Sequence, residues 1–133
     1  MKNLPILRAL ILLFVVALLP IVASRAVRAG GGATIKGWVS DESCARGRAS
    51  SGLFTGTNPE CAKKCIASGA KMVLIVPDQR TLLTVANPEA AKADIGDYVE
   101  ITGSIEAKTK TVHIDSLKLL TKGVAMCGVP AKK

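Results

Sequence analysis

Four cysteines carry the chain's most reactive chemistry: Cys44, Cys61, Cys65 and Cys127. On a helix, Cys61 and Cys65 would sit one turn apart and face the same way. Their Cβ atoms would then be about 5–6 Å apart, beyond the roughly 3.5–4.5 Å that a disulfide spans. A 61–65 bond would unwind the helix. Two pairings remain: 44–61 with 65–127, or 44–65 with 61–127. Either would staple a long loop and the C-terminal tail to the helix, a closure that stabilises by about 2–4 kcal/mol. The alternative is metal or thiol-redox chemistry. Cys61, Cys65, His113, Met126 and Cys127 form a soft ligand set that suits copper or zinc. Against it, structural zinc sites and thioredoxin-type redox sites favour Cys-x2-Cys, and this spacing is Cys-x3-Cys.

His113 is the single histidine. It stands two residues before Asp115, so both would share one side of a strand. Such a pair could make an oriented base, but an ordinary solvated strand face is the plainer reading. No nucleophile elbow is present, and Gly30-Gly31-Gly32 precedes a strand rather than a helix, unlike a phosphate loop. The expectation is a protein that is not an enzyme and carries no cofactor. Trp38 and Tyr98 would form a ligand platform if both lie on one outer face; packing beneath the cysteine helix is the plainer alternative. With Phe54 they are the only aromatics after the N-terminal apolar run, too few for a base-stacking surface. Nucleic acid is therefore an unexpected partner.

The N-terminal region sets the compartment. Lys2 and Arg8 precede an apolar stretch, interrupted only by Pro20, that spans 15 residues from position 9 to 23. A secretory h-region needs about 7–15 residues and a membrane span about 20. Residues 1–29 read as a signal peptide, with cleavage expected within 23–29 and favoured after Val27-Arg28-Ala29. Arg25 and Arg28 resist translocation, which keeps an uncleaved anchor as the rival. Cleavage would drop the net charge from +8 to +4, since Lys2, Arg8, Arg25 and Arg28 leave and no acid does. That mild excess suits an anionic envelope polymer and falls short of a nucleic-acid stripe. The expected home is periplasmic or secreted, where an even cysteine count favours disulfides.

The elements that must position these residues follow from periodicity and punctuation. Residues 30–33 make a flexible start. Residues 34–40 read as a strand, with Ile35 and Val39 on one face and Lys36, Trp38 and Ser40 in the polar phase. Residues 41–58 read as a loop that needs Cys44 to tie it down. Asn58, Pro59 and Gly69 punctuate a helix whose apolar stripe is Cys61, Ala62, Cys65 and Ile66. Residues 72–76 form a strand covered on both faces, and 81–86 return from a turn. Asn87-Pro88-Glu89 opens a short helix ending before Gly96. Residues 98–106 alternate cleanly, with Val99, Ile101, Gly103 and Ile105 inward and a bend at Gly103. The apolar phase of the last strand slips near Asp115-Ser116, as a bulge would make it. Residues 121–133 form a basic tail with Cys127.

This order predicts a mainly β domain over 34–120. The expected architecture is a small five-stranded OB-like Greek-key barrel. The cysteine helix is inserted between strands 1 and 2, and a short helix lies between strands 3 and 4.

Several segments together carry a resemblance. They are Gly37-Trp38-Val39-Ser40-Asp41 with Cys44, Cys61-Ala62-Lys63-Lys64-Cys65 running into Gly69-Ala70-Lys71, residues 99–103, and residues 112–116. Across residues 35–120 the chain resembles a family of small exported bacterial proteins of unknown function. The resemblance implies an OB-like barrel and export, and no activity or ligand. The functional expectation is an exported, non-enzymatic binding or structural module of the cell envelope. Its partner would be an anionic envelope polymer, a small ligand or an envelope protein, with no membrane span after cleavage. The alternative is a periplasmic metal or thiol-redox protein.

Overall fold

Val99 and Ile101 alternate with Tyr98, Glu100 and Thr102 along one long strand, and only the first set is fully buried. That alternation places one face of a sheet against a core. The computed structural model describes residues 32–124. The expected signal peptide and the tail residues Met126 and Cys127 lie outside the described residues.

Five strands form one sheet: β1 (Ala33–Asp41), β2 (Met72–Val76), β3 (Thr81–Val85), β4 (Tyr98–Glu106) and β5 (Thr111–Thr121). Their order is β1-β2-β3-β5-β4, and the sheet closes because β1 pairs with β4 as well as β2. All pairs are antiparallel except β3 with β5. Among the described residues three helices decorate the sheet: α1 (Glu42–Ser50), α2 (Pro59–Ala67) and a 3-10 helix (Pro88–Asp94). Among the described residues no helix is long and apolar enough to cross a membrane.

The apolar run of β2 is buried along its whole length. Met72, Leu74 and Val76 join the main core with Ile35, Val39, Val99, Ile101, Val112 and Ile114. Val73 and Ile75 point the other way, into a second cluster with Ala45, Trp38, Phe54 and Leu82. Each such side chain contributes about 1.5–3 kcal/mol on leaving water. The second cluster exists because α1 and the chain after it cover the outside of β1 and β2.

That cover overturns one expectation. Residues 41–58 are not a free loop, since they begin with α1. Asp41 caps it by accepting the Cys44 backbone N–H at 2.9 Å, and Glu42 pairs with Arg46 one turn on. The helix ends at Ser51, with Gly52 in the left-handed region at φ +76°. Ser40 is likewise not on a solvated face. It is buried and shares a 2.5 Å hydrogen bond with buried Thr57, which ties the segment after α1 back to β1.

Two further details differ from expectation. Asn87 does not cap the helix after it. Its side-chain N–H donates to the Ile114 carbonyl, and its oxygen accepts the Ile114 N–H, so it bridges β5 instead. Ile105 is exposed rather than inward. The phase slip in β5 is a register shift: Thr102 faces Ser116 and Gly103 faces Ile114, leaving Asp115 as the extra residue. Gly103 is required there, because a methyl at this position would collide with the His113 carbonyl.

Candidate metal centre

Three cysteines from two helices meet at one point on the surface. Cys44 is in the first turn of α1, and Cys61 is in the first turn of α2. Cys65 follows Cys61 by one turn, so the helix itself brings those two sulfurs to one side. Asn58 starts α2 by accepting the N–H groups of Glu60 and Cys61, and Pro59 occupies the first helical position, where no N–H is needed. The three Sγ atoms all lie within 4.8 Å of one another. Cys44 and Cys61 are 3.8 Å apart at sulfur.

Among the described residues the cysteines stand near one another without a bond, and both expected pairings include Cys127, which lies outside those residues. A sulfur–sulfur bond is about 2.05 Å long, and none of Cys44, Cys61 and Cys65 forms one here. The expected buried stripe of α2 is also shifted. Ala62 is buried, Cys65 and Ile66 are half-buried, and Cys61 is exposed. Cys61 is thus a surface thiol rather than a core residue.

The electrostatics of the cluster are mixed. Burial, then the neighbouring Asp41 carboxylate, pushes the Cys44 thiol from its ordinary 9.0 up to about 12. The Cys65 thiol is pushed up too, by burial first and then by Asp41. Asp41 is fully buried, and its Oδ1 atom has no hydrogen-bond partner. The positive helix ends beneath Cys44 and Cys61 oppose this by favouring negative charge. A shallow cleft of about 350 Å3 opens onto the sulfurs, lined by Cys44, Cys61, Arg48, Gly47, Thr57 and Asn58.

Of the other members of the expected ligand set, His113 does not join. His113 lies on β5 opposite Ser104, with Nδ1 3.5 Å from Asp115, and both side chains are solvated. Met126 and Cys127 lie outside the described residues. Cys44, the expected loop staple, completes the trio. The missed signal was Asp41-Glu42 followed by Arg46, which marks a capped helix start and an i,i+4 ion pair.

Trp38 and Tyr98 are brought together, as directly paired residues with ring centroids 4.9 Å apart and planes tilted by 43°. Trp38 packs against the second cluster, and Gly56 lies against its ring so closely that a methyl would collide. Both aromatics are half-buried, and Trp38 serves the packing of the outer layer.

Compared with family models, curated proteins and solved structures, the chain matches none. The chemistry of the trio therefore rests on its own geometry.

Proposed function

We propose that this chain is an exported, OB-like barrel module that binds one soft, thiophilic cation through Cys44, Cys61 and Cys65. The convergence of three sulfurs within 4.8 Å carries this reading. Two sulfurs held tetrahedrally at about 2.3 Å from one ion stand about 3.8 Å apart, and the Cys44–Cys61 separation is 3.8 Å. Three thiolates without an imidazole favour Cu(I), while zinc would take a water as its fourth ligand. Burial and the Asp41 carboxylate hold a proton on Cys44, and the same carboxylate draws a cation in, so ion and proton compete for one sulfur.

The strand order β1-β2-β3-β5-β4, with the parallel β3–β5 pair, supports the OB-like Greek-key reading. Export rests on the N-terminal apolar run and on the family resemblance. In a periplasmic or secreted setting, the site would take up or buffer a metal ion rather than catalyse a reaction.

The test is Cu(I) and Zn(II) titration of reduced, metal-free protein, with stoichiometry read by elemental analysis. One ion per chain is expected, with loss of binding in Cys44→Ser, Cys61→Ser and Cys65→Ser separately. Full occupancy in all three variants would refute the site. A protein with no free thiols when purified from the producing cell would restore the disulfide reading.

A further inference from the structure

A second cleft, sharing no lining residue with the cleft at the sulfurs, lies between α1, strands β2 and β3, and the turn that joins β4 to β5. Its volume is about 340 Å3. Three cations line it, Arg46, Arg80 and Lys110, against one carboxylate, Glu42. Arg46 satisfies that carboxylate, donating from Nε and Nη2 to the same oxygen at 2.9 and 2.7 Å. Arg80 and Lys110 have no carboxylate partner among the described residues.

The backbone singles out the same two residues. Arg80 has φ +47° and Lys110 has φ +50°, and among the described residues every other positive φ belongs to a glycine. Each closes a different hairpin turn, at a position where glycine would relax the chain. Both turns therefore keep a strained cation in place of a relaxed glycine, and both cations line one cleft. Strain that recurs at one surface site, on unrelated turns, points to use of that site.

We infer that this cleft binds an anionic polysaccharide, its carboxylates held by Arg80 and Lys110 and its hydroxyls by the threonines alongside. Thr81, Thr84 and Thr109 supply those hydroxyl partners. The cleft is partly open to solvent, which admits a polymer strand. Single-stranded nucleic acid fits it less well. Phe54 is the aromatic ring of the lining, and the Arg80 guanidinium already sits 5.1 Å from its centroid, so a base has little face to stack on.

The experiment measures binding of the full-length protein to polygalacturonate, with neutral dextran and single-stranded DNA as the comparison polymers, at about 50 and about 200 mM salt. Polygalacturonate is expected to bind most tightly and to weaken at the higher salt. Lys110→Gly should weaken it about tenfold or more while leaving the melting temperature unchanged or raised, since glycine accepts the left-handed backbone. Arg80→Gly combined with Lys110→Gly should weaken it further. Cys61→Ser should bind as the wild type does, which separates this site from the thiol cluster. Wild-type affinity in both glycine variants, equal binding of dextran, or tighter binding of DNA would each overturn the inference.

Discussion

The sulfurs of Cys44 and Cys61 stand 3.8 Å apart, each in the first turn of a different helix. One ion can bridge that distance without moving either helix. Cys61 is exposed and contributes little packing. Cys61→Ser is therefore expected to abolish stoichiometric Cu(I) binding while changing the stability of the metal-free protein by less than about 0.5 kcal/mol. Elemental analysis and urea unfolding check the two halves. The same reasoning says that reductant leaves the melting temperature of the metal-free protein unchanged. A clear drop on reduction would show that a disulfide holds the fold.

Alkaline pH should weaken the fold through Cys44. Its thiol ordinarily ionises near 9.0, and burial beside the Asp41 carboxylate pushes it up to about 12 in the folded protein. Between these values the unfolded chain has lost the proton and the folded chain keeps it, so stability falls as pH rises across that window. Below pH 9 the contribution is flat. Urea midpoints of wild type and Cys44→Ser, followed from neutral pH into that window, isolate the effect, because other alkaline titrations are common to both. The wild type should lose more stability than the variant.

Gly103 is expected to tolerate no side chain. It pairs with Ile114 beside the extra residue Asp115, and a methyl would run into the His113 carbonyl, which is backbone and cannot swing aside. Gly103→Ala should cost about 3 kcal/mol, the upper part of the range for overpacking. Thermal unfolding checks this, with Ser104→Ala, one residue along and exposed, as the near-neutral comparison.

Asp97 clamps the end of β5. Its buried carboxylate accepts the Gly123 N–H at 2.8 Å and the Lys122 amine at 2.6 Å. That bond pushes the Lys122 pKa up. Asp97→Ala should cost about 1–3 kcal/mol, the loss of a buried, charge-assisted acceptor. Lys122→Ala should cost much less, because its side chain is mostly solvated. Hydrogen exchange should show the loss first at the Gly123 amide.

Much of the scaffold was legible in local pattern. Strict alternation over residues 98–106, the covered run at 72–76 and the Asn58-Pro59 helix start each correspond to an observed element. The slip in phase at Asp115 foretold the register shift, because a strand's side chains alternate with a period of two and one extra residue must reverse them. The pairing of Cys61 with Cys65 on one side of a helix followed from its 3.6-residue turn alone.

Other features depended on contacts distant in the chain. Helix α1 carries few apolar residues, so it shows no hydrophobic stripe to read. It is held by the Asp41 cap and by Ala45 meeting Val73 and Ile75 of β2. Ser40 looked solvated in an alternating strand and is buried because Thr57, 17 residues later, folds onto it. The chain's own residues determined that two cysteines would share a helix face and that a third would precede them. Only the tertiary structure decided that the first turns of α1 and α2 would meet at their cysteines and turn three separate thiols into one cluster. Local sequence sets a helix and its faces, but the meeting of two helix ends is set by the sheet beneath them.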